Sequence, residues 1–427
     1  MIDVKRLRQD PAGTRASLMR RGDPSLGATL DAMLDLDRQR RDLLVRVESL
    51  KAERNSASDE VARRKRTREP ADDLMERLKA SGEEVKSLDL RLREIETALD
   101  ERALSVPNPP HDDTPDGDAT ANRVLRSWGT SPAFDFSPRP HWDLGASLGL
   151  FDLPTGGKIA GSGFPLFVGM GAKLGRALAG FMLDLHTREH GYLEIAPPYL
   201  VNRASLTATG QLPKFVEEVY AVPADDLFLI PTAEVPVTNI HRDAILESAA
   251  LPVAYVAYTP CFRREAGSHG KDTRGLIRVH QFDKVELVRF TRPEDSPAEH
   301  ERMTGHAEAV LQRLGLPYRV VELAAGDTGF ASARTYDLEV WAAGVGAWLE
   351  VSSSSTFTDF QARRANIRYR PSPKAKPEFV HTLNASGVAF PRTIIALLEN
   401  NQAADGSVRV PEALVPYLGV DRLTPRG

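Results

Sequence analysis

Apolar residues recur every seven positions in the stretch that follows residue 29. Leu36, Leu43, Leu50 and Ala57 keep this spacing, with Met33, Val47 and Val61 between them, and Pro70 ends the run. After Pro70 a second run follows a four–three alternation through Leu74, Leu78, Val85, Leu88, Leu92, Ile95 and Leu99. Each run predicts a helix with one apolar seam that must be buried. Two seams joined by a short turn indicate an antiparallel two-helix coiled coil about 45–50 Å long; the alternative is a helical hairpin packed flat on the body.

Pro, Asp and Gly dominate residues 104–120, which is a composition typical of a linker. Residues 1–29 predict a short helix and a Gly- and Pro-containing loop. The chain is therefore divided into an N-terminal arm at 1–103, a linker at 104–121 and a second domain at 122–427. A length of 427 residues agrees with two domains.

The second domain contains a hairpin whose facing side chains are polar. Residues 253–258 are apolar and β-prone, and residues 277–286 alternate with a period of two. The first strand is expected to end in Arg263 and Glu265 on one face. The second should present Arg278, His280, Phe282, Lys284 and Glu286 together, around a long Gly-rich tip. That face suits a ligand with phosphate, a flat ring and an ammonium group, although a solvated face of paired charges is an equal alternative.

Other segments mix helical and extended patterns. Residues 173–190 have helical period and lead into an extended stretch at 191–201, whereas residues 341–351 predict a single strand. Residues 384–392 predict a strand, a Gly turn and an Arg that opens a helix.

Composition limits the class of protein and the kinds of site. The formal net charge is −4, so any nucleic-acid site must be a local patch. Residues 38–68 nevertheless hold eleven basic and five acidic residues, with a cluster at the predicted tip of the coiled coil. The single cysteine excludes intramolecular disulfides, and no apolar run reaches the about 18 residues of a membrane span. A soluble, cytoplasmic protein without membrane contact is expected.

The hairpin also carries a long motif. The string Phe-Arg-Arg-Glu-Ala-Gly at 262–267, followed by Asp-Thr-Arg-Gly-Leu-Ile-Arg-Val-His-Gln-Phe-Asp-Lys-Val-Glu at 272–286, resembles motif 2 of seryl-tRNA synthetases. Residues 173–201 and 384–401 resemble motifs 1 and 3 of the same class II enzymes. The resemblance covers essentially the whole chain. It implies an α+β fold with an antiparallel-sheet class II catalytic domain, an N-terminal coiled-coil arm and a homodimer.

The resemblance implies serine–tRNA ligation, with ATP and Mg²⁺, on tRNA(Ser) and also on tRNA(Sec). The implied catalytic residues are Arg263 and Arg392. The implied serine site contains Thr232, Ala233, Glu234, Arg263, Glu286, Asn384 and Ser386. The implied ATP site contains Arg263, Arg264, Glu265, Val279, Phe282, Glu350, Val351, Ser352, Ser353 and Arg392, with Glu350 and Ser353 holding the metal. The implied tRNA contacts are Arg63, Arg64, Lys65, Arg66 and Arg68.

Three positions depart from the family pattern: Arg264 stands where Ser is common, Ala385 where Gly is usual, and Gly163 where Arg is common. Two other functions compete with the ligase. One is an amino acid ligase that loads a carrier protein, which would not need the arm. The other is an inactive paralogue acting as a dimeric scaffold, which would be expected to lose Arg263, Glu286 or Arg392.

Overall fold

The computed structural model describes residues 1–266 and 274–425, and these form two compact units. The first unit contains Met1–Met19 and Asp23–Pro109, and the second contains Arg20–Gly22 and Pro110–Gly427. Within the described ranges, no helix combines the length and the apolarity needed to cross a bilayer.

The first unit is helical. Its helices are α1 (Val4–Gln9), α2 (Pro11–Met19), α3 (Leu26–Thr67) and α4 (Asp72–Ser105). Ion pairs join α3 to α4 from Arg40–Glu96 at 2.9 Å, through Lys51–Asp89 at 3.4 Å, to Arg64–Asp73 at 3.1 Å. In this series of ion pairs the α3 residue numbers rise while the α4 residue numbers fall, so the two helices run antiparallel.

The seams predicted from the seven-residue spacing are the buried faces of these helices. Val47 and Leu50 of α3 are almost fully buried, as are Val85 and Ile95 of α4. At the base, α1 and α2 complete a small core around Leu30 and Leu99, with Leu7 fully enclosed. The two-helix coiled coil is confirmed, and its turn contains Pro70 as expected.

The second unit is built on an antiparallel sheet. Its helices are α5 (His141–Leu148), α6 (Leu153–Ala160), α7 (Met170–Arg188), α8 (Arg203–Thr209), α9 (Glu234–Thr238), α10 (Ser296–Arg313), α11 (Phe360–Ala365), α12 (Phe390–Asn400) and α13 (Val415–Leu418). Its strands are β1 (Arg123–Trp128), β2 (Phe151–Asp152), β3 (Leu166–Phe167), β4 (Leu193–Glu194), β5 (Leu200–Asn202), β6 (Ala221–Val222), β7 (Leu227–Leu229), β8 (Ile245–Glu247), β9 (Val253–Phe262), β10 (Gln281–Thr291), β11 (Tyr318–Glu322), β12 (Arg334–Ala342), β13 (Ala347–Thr356), β14 (Arg368–Arg370), β15 (Glu378–Phe379), β16 (His381–Ala389), β17 (Val408–Arg409) and β18 (Arg422–Leu423).

The main sheet of the described residues has the order β1-β11-β12-β13-β16-β10-β9-β4, and only the β4–β9 pair is parallel. Both faces of its centre are covered. On β10, Leu287 belongs to the large core that also contains residues of α7, α10 and α12, whereas Val288 and Phe290 belong to a second core with α11. Alternate side chains therefore bury on opposite faces, as strand geometry requires, and the α+β antiparallel architecture is confirmed.

Three details of the strand predictions are wrong. Strand β9 ends at Phe262, so Arg263 and Glu265 lie beyond it, and Glu265 has a φ of 52°. Strand β10 begins at Gln281, which leaves Arg278 and His280 in the preceding turn. Residues 341–351 are not one strand, because β12 ends at Ala342 and β13 begins at Ala347. Most of the hairpin tip, residues 267–273, lies outside the described residues.

Two register shifts interrupt the main sheet. Between β12 and β13, Leu338 pairs with Ser352 and Glu339 with Glu350, so Val351 is left out of the pairing. Between β10 and β16, Val285 pairs with Val388 and Glu286 with Ser386, so Gly387 is left out. The Gly turn predicted at Gly387 is thus a β-bulge inside a strand. Each bulge changes which face the following side chains occupy.

Candidate active site

A cavity of about 660 Å³ lies over the centre of the main sheet, beside the start of α12. Most residues of the sequence-derived site line it: Thr232, Glu234, Arg263, Glu265, Val279, Phe282, Glu350, Val351, Ser353, Asn384, Ser386 and Arg392. Four do not. Ala233, Ser352 and Glu286 are buried behind the lining, and Arg264 is exposed outside it. The structure therefore brings the two arginines and the acidic residues to one place.

The two bulges explain how these side chains share the cavity. Glu350 and Ser353 are three apart, and a regular strand would place them on opposite faces. Because Val351 is left out of the β12–β13 register, both line the cavity. Gly387 is likewise left out of the β10–β16 pairing, so Ser386 and Ala389, which are also three residues apart, both line the cavity.

One end of the cavity is acidic and deeply buried. The Asn384 Nδ2 donates to both Glu234 Oε2 at 3.0 Å and Glu286 Oε1 at 2.8 Å. The Gln361 Nε2 donates to the other Glu234 oxygen at 2.6 Å. Burial and the neighbouring Glu286 raise the pKa of Glu234 to about 7, and burial also raises the pKa of Glu286. Both carboxylates accept hydrogen bonds from the same side-chain amide of Asn384, so they lie close together. Their oxygens form a pocket that suits a small cation.

Lys284 is the cation built into this acidic end. Its side chain is almost fully buried, forms an ion pair with Glu286, and donates to Thr232 Oγ1 at 3.1 Å. Lys284 was predicted to lie on the hairpin face, without a role of its own. Gln361 was missed altogether, because it comes from α11 and is distant in sequence from every motif.

Arg263 lines the same cavity, beside the loop that carries Thr232 and Glu234. Its guanidinium stands over the Phe282 ring, 5.2 Å from the centroid, and its Nε donates to the Pro231 carbonyl oxygen at 3.3 Å. Its backbone N–H donates to the His280 carbonyl oxygen, and the His280 Nδ1 lies 2.9 Å from the Arg263 carbonyl oxygen. The side chain is otherwise exposed to the cavity. The two contacts with His280 fix the Arg263 backbone and so determine where its side chain begins.

Gly163 supports this backbone arrangement. Its carbonyl oxygen accepts from the His280 N–H at 2.8 Å. Its φ is 80°, and a Cβ there would lie 2.5 Å from the His280 ring. A side chain at residue 163 would therefore have to displace the His280 imidazole from its present position.

Arg392 projects from the first turn of α12. Its Nη1 donates to the Glu350 carbonyl oxygen at 2.8 Å and lies 3.5 Å from the Glu350 carboxylate, while its Nε donates to the Ile277 carbonyl oxygen. Nearby, Glu265 forms an ion pair with Arg278, which also lines the cavity and to which the motif resemblance assigned no role.

Oxygen donors suited to a hard cation stand beside Arg392. The Glu350 carboxylate and the Ser353 hydroxyl line the cavity, and Asp337 pairs with Ser353 across the sheet. Asp337 Oδ1 is buried and without a hydrogen-bond partner. No group of three or more His, Cys, Asp or Glu in the described ranges could hold a metal alone. These residues fit a Mg²⁺ that takes its remaining ligands from phosphates and water.

In the first unit, the basic tip cluster divides into two sets. Arg63 and Arg64 are ion-paired within the tip, both with Glu60, and Arg64 also with Asp73. Lys65, Arg66 and Arg68 are exposed and form no ion pair with the residues that the structure describes.

Two family profiles match the chain. Residues 1–110 match the seryl-tRNA synthetase N-terminal domain, and residues 219–401 match the tRNA synthetase class II core domain (G, H, P, S and T). A serine–tRNA ligase of Gemmatimonas aurantiaca is 55% identical over 98% of this chain and 99% of its own length. The chain belongs to the seryl-tRNA synthetase family.

Solved structures agree with this family. The seryl-tRNA synthetase from Pyrococcus horikoshii, crystallised with ATP, aligns with a TM-score of 0.95 and 37% identity over the whole of both chains. The cytoplasmic serine–tRNA ligase of Naegleria fowleri, in complex with AMP, aligns with a TM-score of 0.89 and 28% identity over 100% of this chain and 99% of its own. The antiparallel sheet and the paired N-terminal helices are thus those of a seryl-tRNA synthetase.

Proposed function

We propose that the chain activates L-serine with ATP and transfers the seryl group to the 3′ end of tRNA. The observation that carries this proposal is the convergence of Arg263, Arg392 and Glu234 on one cavity, with Glu286 linked to Glu234 through Asn384 directly behind the lining. The serine carboxylate attacks the α-phosphorus, the bond to the leaving pyrophosphate breaks, and seryl-adenylate forms. The carboxylate is already a nucleophile, so the site must mainly align two anions and neutralise the charge that develops at phosphorus.

The two arginines supply that neutralisation. Arg263 would bridge the serine carboxylate and the α-phosphate, since its guanidinium is exposed to the cavity and can bind oxygens with two parallel N–H groups. Arg392 would bind the γ-phosphate at the other end of a bent ATP. It is already held by two carbonyl oxygens, which leaves little freedom for its guanidinium to lose on binding.

The adenine is assigned to the slot around Phe282. Phe282 would stack on the ring, Val279 would line the slot, and Glu265 would contact the base. Arg264 was also assigned to ATP, but its exposed position outside the lining supports no direct contact in this arrangement. Val351 and Ser352 would contribute through the bulged backbone beside the phosphates.

Glu350 and Ser353 would hold Mg²⁺. When bound, Mg²⁺ draws charge from the phosphate oxygens and so makes the α-phosphorus easier to attack. Asp337 would accept a hydrogen bond from the Ser353 hydroxyl. That bond would keep the Ser353 oxygen directed at the cavity.

Serine itself would bind at the acidic end. Glu234 would accept hydrogen bonds from its ammonium group and hydroxyl, and the carboxylate of Glu286 behind it would add negative charge, with Thr232 and Ser386 beside the substrate and Asn384 holding both carboxylates. Ala233 would act through its backbone. Alanine would leave buried polar groups unpaired, which can reduce its use by roughly 10⁴-fold.

The arm would bind the tRNA. We assign tRNA(Ser) as the main substrate and tRNA(Sec) as a second one, with the exposed cations at the tip contacting phosphates. Residues 1–103 would form the tRNA-binding domain, 104–121 the linker and 122–427 the catalytic domain. We also propose a homodimer, on the resemblance of residues 173–201 to motif 1, and a cytoplasmic location, where ATP and tRNA are available.

Pyrophosphate exchange into ATP, measured with each of the twenty amino acids, tests the proposal. Exchange that depends on serine alone is the expected result, followed by charging of tRNA(Ser). Exchange with another amino acid, or none in a folded sample, would reject serine activation. Exchange without tRNA charging would favour the enzyme that loads a carrier protein.

A further inference from the structure

The Glu399 carboxylate, near the end of α12, is fully buried and surrounded by N–H donors. Its Oε1 accepts from the backbone N–H of His141 at 2.8 Å and lies 2.8 Å from the His141 Nδ1. Its Oε2 accepts from the backbone N–H groups of Gly344 at 2.8 Å and Val345 at 2.9 Å. A carboxylate has about four acceptor positions, and these four donors occupy them. Glu399 therefore holds the His141 ring without having a part in the proposed chemistry.

The His141 ring connects Glu399 to a second segment of the chain. Its Nε2 lies 3.0 Å from the backbone nitrogen of Leu276, whose N–H can only donate. The Nε2 must therefore be the acceptor and carry no hydrogen. A neutral imidazole has one N–H, so the hydrogen is on Nδ1 and faces Glu399. His141 thus donates to Glu399 with one nitrogen and accepts from Leu276 with the other.

Leu276 belongs to the turn that leads into β10 and forms one wall of the cavity, at residues 276–279. The same turn is held by Arg392, whose Nε donates to the Ile277 carbonyl oxygen at 3.1 Å. Arg392 and Glu399 are seven residues apart, which places them on one face of α12, about two turns from each other. One helix therefore holds two adjacent residues of the turn, directly through Arg392 and indirectly through Glu399.

The backbone approaches the His141 ring closely. A Cβ at Gly275 would lie 2.2 Å from the His141 Nε2, and Gly275 has a φ of 67°. The next residue of α5, Trp142, has the Arg274 guanidinium 4.2 Å from its ring centroid. Residues 274–276 therefore pack on the first two side chains of α5, and a glycine at 275 permits the contact.

We propose that His141, oriented by Glu399, is a positioning residue that fixes the turn at residues 276–279 for ATP binding. This role rests on the proposed function, in which Val279 lines the adenine slot and Arg392 binds the γ-phosphate. Without an acceptor for the Leu276 N–H, the turn would populate other arrangements. The apparent affinity for ATP would then fall with the fraction of molecules in which the turn is in place.

The test compares His141→Asn with His141→Gln in the full-length enzyme. Asparagine can place a donor near the position of Nδ1, so it satisfies Glu399 but leaves the Leu276 N–H without an acceptor. Glutamine reaches the position of Nε2 and can accept from Leu276. Because a buried N–H would be left unpaired, His141→Asn should raise the KM for ATP in pyrophosphate exchange roughly 5- to 50-fold, and His141→Gln should restore most of the loss.

Two further measurements distinguish positioning from general damage. The Kd for ATP, measured by calorimetric titration, should rise in parallel with the KM for ATP. The KM for serine at saturating ATP should stay within about twofold of wild type, since the serine pocket is built from other segments. A folded His141→Asn enzyme with an unchanged KM for ATP, or with both KM values raised equally, would overturn the inference.

Leu148→Ala is the matched control for stability. Leu148 is buried on the same helix, α5, so its truncation should lower the melting temperature while both KM values are kept. A rise of the KM for ATP in Leu148→Ala equal to that in His141→Asn would show that loosening α5 suffices, and would overturn the role of the His141 ring.

A pair of glycine variants tests the same contact if His141→Asn does not fold. Gly275→Ala would push a Cβ against the imidazole, whereas Gly315→Ala, just after α10, has a nearly equal φ of 66° and meets nothing within 4 Å. The KM for ATP should rise only in Gly275→Ala, and equal values in the two variants would overturn the inference. The ATP titration needs no serine, so a wild-type enzyme that binds ATP without serine-dependent exchange would reject the proposed serine activation instead.

Discussion

Single side chains in the cavity differ sharply in how they are held. Arg263 is exposed and tied mainly through its backbone, whereas Glu234 is buried among fixed hydrogen-bond donors. Changes at Arg263 should therefore affect activity alone, while changes at Glu234 should affect both activity and stability.

Arg263→Ala should lower the rate of serine activation by about 100- to 1,000-fold, because one preorganised charge at the reacting phosphate is removed. The melting temperature should be unchanged. Pyrophosphate exchange and thermal unfolding measure the two effects. Arg264→Ala is the matched control, since Arg264 is the next residue, is exposed and lies outside the cavity lining; an equal loss in both variants would contradict the role of Arg263.

The pKa of Glu234, raised to about 7 by burial and by Glu286, makes stability depend on pH. The folded protein keeps this proton between the ordinary value of 4.5 and about 7, whereas the unfolded chain has lost it. The free energy of unfolding should therefore fall as pH rises through this window, by about 3 kcal/mol from Glu234. Urea unfolding across this window should show the fall, and Glu234→Gln should reduce it; an identical slope in the variant would exclude Glu234 as its source.

Gly163→Ala should lower serine activation, because the added Cβ would meet the His280 ring that holds the Arg263 backbone. Gly161→Ala provides the control. Gly161 also has a positive φ, of 102°, but a Cβ there would meet nothing within 4 Å. Both variants carry backbone strain of about 1 kcal/mol or more, so only the difference between their exchange rates reports the displaced imidazole.

Many site residues were predictable from sequence because they lie within a few contiguous motifs. Arg263, Phe282 and Arg392 line the cavity as the motif resemblance implied. Gln361 and Asp337 were not predictable, since α11 and β12 carry no motif and reach the site only through the fold. Lys284 was visible on the hairpin face, but its contact with Thr232 depends on tertiary packing.

At the scale of elements, the helices were the more predictable part. A seam repeated over many turns is a strong periodic signal, and it located the coiled coil and its turn. The bulges at Val351 and Gly387 left no such signal, because register is a property of two paired strands. The prediction of one strand over 341–351 failed for a related reason: the turn between β12 and β13 is short and its flanks are both β-prone.

The tip of the α3–α4 hairpin should bind tRNA through Lys65, Arg66 and Arg68, which pair with no acid among the residues that the structure describes. Changing Lys65, Arg66 and Arg68 to Gln should raise the KM for tRNA and flatten its dependence on salt, because fewer counterions are released. The KM for serine should not move. Changing Arg77, Lys86 and Arg93 on α4 is the matched control, and an equal effect would show that charge anywhere on the arm suffices.

At the scale of the whole molecule, each unit has its own hydrophobic core. The arm can therefore be shortened without opening either core. Arg40 and Glu96 lie side by side across the helix pair, so residues 42–94 can be replaced by a short Gly-Ser turn.

The shortened enzyme should retain serine-dependent pyrophosphate exchange and lose most of its tRNA charging, because the proposed adenylate formation needs only the cavity of the second unit. Exchange and charging assays on the same preparation measure the two steps. Full charging by the shortened enzyme would show that the arm is dispensable for tRNA, and loss of both steps would show that the units are not independent.

Cys261 is the single cysteine of the chain. It lies fully buried on β9, and burial raises the pKa of its thiol, so it reacts slowly with electrophiles. The native protein should therefore take up little thiol-reactive label, so a label on an introduced cysteine can be observed without interference from Cys261. A fluorophore or spin label attached to Thr67→Cys, an exposed position at the end of α3, would report from the end of the arm alone, and the motion of the label with and without tRNA could be followed without replacing Cys261.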